Sequence, residues 1–239
     1  MNMEVLTATK LADVISGRTL RVPLDLAGTN HTPLASILDA CQHTTDSVNA
    51  QIKVGGMCES PYLLGRLDTE QLAWLEAGLT AIRRSIPRAR SQVFQKMQAI
   101  ESITASFWSA REVRGRAAND ALINMVFADR CGELPLHNHR FSDRVIFVLN
   151  GTGFGYFTTR HITVYDSNAI GRVPVERGDI LCYPRTTQHT FSTRGEPIEL
   201  LTYHSEFVPF DDERQYTLLS DAWTPENAAR VAIWPRPTA

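Results

Sequence analysis

The sequence predicts a mainly β protein with some helix: a β-barrel in the second half, preceded by a helical N-terminal extension. Three observations carry this. The stretch from Ala121 to Tyr203 is a series of short apolar runs, rich in β-branched and aromatic residues and broken by turn signals such as Asn150-Gly151 and Gly178-Asp179. Within it, His137, His139 and His189 stand at spacings that a metal site on a barrel needs. Before it, apolar residues recur at helical rather than strand spacing. The expected divisions are residues 1–110, a mainly helical extension; 111–210, the barrel; and 211–239, a tail with one short helix.

Length and composition bound the rest. A chain of 239 residues makes one large or two small domains. The formal net charge is −2, and the only lysines are Lys10, Lys53 and Lys96, so no basic block points to nucleic acid or an anionic membrane. No apolar run reaches membrane-spanning length. Met1-Asn2-Met3-Glu4 does not open a signal peptide. Cys41, Cys58, Cys131 and Cys182 are scattered without a Cys-x-x-Cys pair, which suits reduced thiols in the cytoplasm.

In chain order, Leu6 to Ile15 is expected to be a short helix, Leu20 to Leu26 extended, and Asp25 to Asn30 a loop. Thr32-Pro33 starts a helix, with Thr as N-cap and Pro at the first helical position. Leu34, Ile37, Leu38 and Cys41 share its apolar face. Residues 54–67, with Gly55-Gly56 and Pro61, read as loop. Asp68 and Gln71 form a capping box, followed by the stripe Leu72, Leu75, Leu79 and Ile82, with Pro87 breaking the helix. A second stripe, Val93, Met97, Ile100 and Ile103, makes 68–106 an αα-hairpin. Such stripes are far more often core than the lining of a ligand channel.

Barrel strands are expected at Ala121 to Ala128, Val145 to Leu149, Gly153 to Phe157, His161 to Tyr165, Arg172 to Pro174, Ile180 to Tyr183, Gln188 to Ser192 and Ile198 to Tyr203. Residues 145–149 are apolar throughout, whereas a strand with one wet face would alternate. If 144, 146 and 148 face the lumen, then Val145, Phe147 and Leu149 need a cover, from the N-terminal helices or a second subunit. Thr224-Pro225 starts a short helix, and Trp234-Pro235-Arg236-Pro237 cannot continue it.

On a strand, His137 and His139 point the same way and can share one metal ion. The residues around them, His137-x-His139 with Gly151 and then Gly178, Pro184 and His189, resemble the two sequence motifs of the cupin family. The resemblance covers roughly residues 112–210 and implies a double-stranded β-helix, or jelly-roll, barrel. There are departures: Gly132 is one residue late, Thr186 and Thr193 replace Gly and Asn, and Arg144 stands where the first motif has its metal-binding Glu.

Arg cannot ligate a cation. Either His137, His139 and His189 hold the metal alone, or Asp143 takes the acidic slot through a shorter spacing, or no metal binds. Three His is the preferred reading, because the shorter spacing leaves Gly151 one residue out of register. Arg144 is then either an anchor for a substrate carboxylate or a rim salt bridge to Asp143 or Glu133. Tyr203 and His204 alternate in direction, so one of them faces the lumen, as a hydrogen-bond donor or as a base. His31, His43 and His161 have no motif partner.

Three-His cupins similar to this pattern include thiol, gentisate-type and diketone-cleaving dioxygenases. The resemblance therefore implies one divalent metal ion per chain, Fe(II) first and Zn or another transition metal next. It implies an oxygenase acting with O2 on a small polar or carboxylate-bearing metabolite, with Arg144, Tyr203 and His204 as candidate catalytic residues. The alternatives are a zinc-dependent, non-redox cupin of natural-product biosynthesis (isomerase, lyase or N–N bond-forming) and a non-catalytic small-molecule binder. Cupins are commonly dimers, so a homodimer is plausible on the same ground.

Overall fold

The computed structural model describes residues 38, 41–42, 45–46, 62–85, 103–109, 119–127, 134–158, 161–206, 208, 212, 214, 217–218, 223, 225–231 and 233. The expectations for residues 1–37, the stripe Val93, Met97 and Ile100, the break at Pro87 and the terminal Trp234 to Pro237 lie outside them. So do His31, His43, Cys58, Cys131 and Glu133. Leu38 and Cys41 are helical and buried, as their shared face requires.

In chain order the elements are β1 (Tyr62–Arg66), α1 (Thr69–Ser85), β2 (Ile103–Ser109), β3 (Ala121–Phe127), β4 (His137–Asn138), β5 (Arg144–Asn150) and β6 (Thr152–Thr158). Then follow β7 (Ile170–Glu176), β8 (Asp179–Tyr183), β9 (His189–Thr193), β10 (Ile198–His204), β11 (Thr217–Leu218) and α2 (Pro225–Arg230). One sheet runs β1-β8-β5-β10-β3-β2 and the other β11-β4-β9-β6-β7. Within them, β8-β5-β10-β3 faces β4-β9-β6-β7. That order, with each pairing between these eight strands antiparallel, is the two Greek keys of an eight-stranded jelly roll. Gly151 makes the β5–β6 turn at φ +81°, and a Cβ there would sit 2.1 Å from the Pro197 carbonyl oxygen, so the position requires glycine twice over.

Alternation sorts the side chains. Ile146, Val148, Phe157, Val173, Val175, Leu181, Phe191, Ile198 and Leu200 form the core between the sheets. Leu136, Tyr156, Ile162, Ile170 and Trp223 form a second core on the outer face of the five-stranded sheet, closed by Ala228 of α2 and by Val231. On the outer face of the other sheet, Val145, Phe147 and Leu149 are buried, so the expected cover exists. Helix α1 contributes to it. Arg177 donates from Nε to the Leu149 carbonyl oxygen (3.1 Å) and from Nη2 to the Glu76 carboxylate (2.9 Å), while Leu79 and Leu149 line one shallow pocket. The capping box forms as read: the Asp68 N–H donates to Gln71 Oε1 (3.0 Å) and the Gln71 N–H to Asp68 Oδ1 (2.8 Å), and Leu72, Leu75 and Leu79 are buried.

Three local expectations are corrected. Residues 62–66, read as loop, are a strand, because antiparallel pairing with β8 (Tyr62↔Cys182, Arg66↔Asp179, irregular between Leu63 and Gly65) supplies what local propensity does not. Ile103, read as the last residue of a helical stripe, begins β2, which pairs with β3 along its whole length from Ile103↔Phe127 to Ser109↔Ala121. His161 to Tyr165 is not a strand. The Gln188 side chain accepts from the Ile162 N–H (2.8 Å) and donates to the Ile162 carbonyl (2.7 Å), replacing a strand partner with one amide. The jelly roll thus recruits β1 and β2 from the first 110 residues and β11 from the tail.

Candidate metal centre

β4 and β9 are neighbours, and His137 stands directly opposite His189. His139 follows one residue past β4. The imidazole nitrogens of these three can all lie within 4.8 Å of one another, and all three rings are buried. Ring centroids are 5.0 Å apart for His137 and His139, 4.7 Å for His137 and His189, and 5.3 Å for His139 and His189.

The orientation of two rings is locally encoded. His137 Nδ1 lies 2.8 Å from the Pro135 carbonyl oxygen and His189 Nδ1 lies 2.8 Å from the Thr187 carbonyl oxygen. A carbonyl only accepts, so each Nδ1 carries the hydrogen and each Nε2 keeps its lone pair for a cation. His139 is held by its backbone, whose carbonyl accepts from the Thr186 N–H at 2.9 Å. Thr186 has φ +71°, a left-handed conformation uncommon for a β-branched residue, at the position where the motif has Gly. Asn138 Nδ2 donates to the Thr186 carbonyl at 3.3 Å.

The opposite sheet answers with a row of its own. Arg144 is in register with Tyr183 on β8 and with His204 on β10. The Tyr183 ring stacks on His189 at 4.5 Å and 12°, and the His204 ring lies 6.1 Å from His139. His204 is therefore the lumen-facing member of its pair. Tyr203, in register with Val145 and Leu122, points to the other face of the sheet and is not brought to the centre. His161 is exposed.

Arg144 is 2% exposed. Its Nη1 donates to Ser142 Oγ and to the Asp143 carbonyl (3.3 Å). The Asp143 carboxylate is engaged elsewhere, accepting from the Arg185 backbone N–H (2.7 Å), from Arg185 Nη2 (2.7 Å) and from Ser205 Oγ (3.3 Å). Asp143 is thus neither a member of the histidine cluster nor the salt-bridge partner of Arg144. Among the described residues no carboxylate lies within ion-pair distance of Arg144. Sequence reasoning missed Ser142, Tyr183, Arg185 and Ser205. Only Tyr183 left a signal, since it precedes the motif's Pro184 on an apolar strand.

Electrostatics keep the imidazoles in their ligating form. Burial, opposed by the hydrogen bond to Pro135 and aided by the Arg144 charge, lowers His137 to a pKa of about 4. Burial first, and then neighbouring charges including Arg144, holds His139, His189 and His204 well below the usual histidine range. Burial also works against the Arg144 charge, and Asp143 supports it. The unfolded chain takes up these protons near pH 6.5 and the folded chain does not, so stability falls as pH drops from about 6.5 toward 4. His137 alone contributes a loss of about 2 kcal/mol at pH 5. Melting of metal-free protein between pH 8 and pH 5 checks this. A flat profile would mean that the histidines are not buried as described.

Three neutral imidazole donors, joined by no carboxylate among the described residues, fit a borderline divalent ion such as Fe(II) or Zn. The strand order, with His137 on β4, His139 just past it and His189 on β9, decides the architecture. The barrel is the jelly roll that the cupin resemblance implies.

No protein-family model and no curated protein sequence matches the chain. Solved structures similar to this barrel include an oxalate decarboxylase from Bacillus subtilis, at 18% identity and a TM-score of 0.39, covering 55% of this chain and 35% of that one. Procruciferin, an 11S globulin from Brassica napus, is 10% identical with a TM-score of 0.36, covering 49% and 26%. The vicilin of Solanum melongena is 17% identical with a TM-score of 0.36, covering 45% and 30%. The chain therefore spans about a quarter to a third of the length of these proteins. Among the described residues, no helix is long and apolar enough to cross a membrane.

Proposed function

We propose that this cupin is a metal-dependent enzyme acting on a small carboxylate-bearing metabolite, and that it is a non-haem Fe(II) oxygenase using O2 as co-substrate. One observation carries the reading: three neutral imidazoles converge opposite a buried arginine with no carboxylate partner among the described residues. A buried charge without a counter-ion is costly, and an anionic substrate supplies one.

In this reading, His137, His139 and His189 would hold the ion, which when bound would supply a redox-active Lewis acid. Arg144 grips the substrate carboxylate with parallel hydrogen bonds and so fixes its orientation. The stacked Tyr183 ring keeps His189 in place, and the burial of the whole row keeps bulk water out. His204 Nδ1, buried and without a hydrogen-bond partner, is placed to exchange a proton with the substrate. That last feature also favours a second reading, a redox-inert zinc enzyme in which His204 moves a proton between substrate atoms, as an isomerase or lyase requires.

The test is metal analysis of untagged protein purified without added metal, followed by O2 uptake with a panel of small acids and thiols. Iron at about one per chain with acid-dependent O2 uptake is expected. Turnover by zinc-loaded protein without O2 would replace the first reading with the second. Acid binding with no turnover under either metal would overturn the enzyme assignment.

A further inference from the structure

The inner face of β10 carries a feature that metal binding does not use. Ile198 and Leu200 belong to the core between the sheets, which fixes the parity of the strand, so Thr202 and His204 also face inward. Thr202 is in register with Ile146 and Ile123, one step deeper than the row of Arg144 and His204. Both side chains are buried, and neither Thr202 Oγ1 nor His204 Nδ1 has a hydrogen-bond partner. A valine would fill the place of Thr202 with the same shape and no orphaned hydroxyl. Buried polar groups are nearly always paired, so two orphans on one face ask for a partner that the described residues do not provide.

Tyr183 Oη is orphaned too, but it is committed to packing. It fills the notch left by Gly155, 2.7 Å from where a Cβ would stand, beside Leu181 and Phe191. Thr202 and His204 are different. They are two residues apart on one strand, about 7 Å between Cα atoms, and His204 adjoins Arg144 across the β5–β10 pairing.

We propose that Thr202 and His204 form a hydrogen-bonding subsite inside the barrel that, with Arg144, selects a small acid bearing a hydroxyl or oxo group over the corresponding alkyl acid. This rests on the reading of Arg144 as a carboxylate anchor. The carboxylate lies on Arg144, and the second oxygen function satisfies the orphaned pair. An alkyl acid excludes water from both atoms and gives them nothing, which is the arrangement that rejects an analogue lacking one polar group.

The experiment uses zinc-loaded protein, in which the oxygenase reading gives binding without turnover, and calorimetry with matched probes: malate against succinate, and lactate against propionate. Wild type is expected to prefer the hydroxylated member of at least one pair by about tenfold or more. Thr202→Val is expected to lower that preference to within about threefold while leaving affinity for the alkyl acid unchanged. It is also expected to melt, without ligand, at or above the wild-type temperature, since the lost hydroxyl had no partner among the described residues. Equal binding within both pairs, or a Thr202→Val protein that keeps the full preference, overturns the subsite while leaving the anchor intact. If no acid binds with zinc in place, the reading of Arg144 fails and the subsite falls with it.

Discussion

His189→Ala protein is expected to retain less than about a tenth of the wild-type metal content after equal exposure and washing. The three imidazoles form a minimal set, and among the described residues no carboxylate joins them, Asp143 being taken up by Arg185 and Ser205. Loss even of groups that merely orient a ligand costs metal sites about 10–100-fold in affinity, so loss of a ligand costs at least as much. The substitution also removes the ring on which Tyr183 stacks, so a melting curve must accompany the metal analysis. His204→Ala is the control. Its ring lies 6.1 Å from His139 and outside the cluster, and its variant is expected to keep nearly full metal. Full stoichiometry in His189→Ala, or equal loss in both variants, would show that the ligand set has been misassigned.

Arg144→Met is expected to raise the melting temperature while abolishing affinity for small carboxylates. Arg144 is buried, makes its protein hydrogen bonds through Nη1 alone, and has no carboxylate at ion-pair distance among the described residues. Replacing a poorly compensated buried ion by an apolar side chain of similar volume stabilises proteins by about 1–4 kcal/mol. For a chain of this size, about 2 kcal/mol corresponds to a rise of roughly 4–8 °C. Ser142 Oγ, the main acceptor left behind, still accepts from the Glu206 N–H at 3.2 Å, so the substitution strands little. Binding of succinate or propionate to zinc-loaded protein is expected to fall at least about a hundredfold, as for loss of a charge-assisted bidentate contact. A variant that melts lower, or one that binds acids as wild type does, would make Arg144 a structural residue.

How much of this was legible in the sequence depends on whether the cause was local. The Asp68–Gln71 capping box, the Asn150-Gly151 turn and the inward set His137, His139 and His189 are written in short spacings, and all three formed. The continuous apolar run Val145 to Leu149 correctly required cover on both faces. What stayed hidden depends on partners far along the chain. Tyr62 to Arg66 is extended because β8 lies beside it, and Ile103 leaves the helical pattern because β3 pairs with all of β2. The choice between Tyr203 and His204 could not be made from alternation alone. It took the registry of β10 against β5 to put His204 beside Arg144. Nor does any spacing say that Asp143 turns to Arg185 rather than to a metal or to its neighbour Arg144, since that partner arrives on a loop 42 residues away.

The stitching of that loop has a mechanical consequence. Between Pro184 and Gln188 the chain is fastened to the end of β4 and the segment after it at three points: the Thr186 N–H on the His139 carbonyl, Asn138 Nδ2 on the Thr186 carbonyl, and Arg185 on Asp143. Neither segment can swing away from the barrel without breaking its bonds to the other. The two halves of the centre, His137 with His139 and the distant His189, therefore open as one local unfolding unit. A bound ion would lose its imidazoles together rather than one by one.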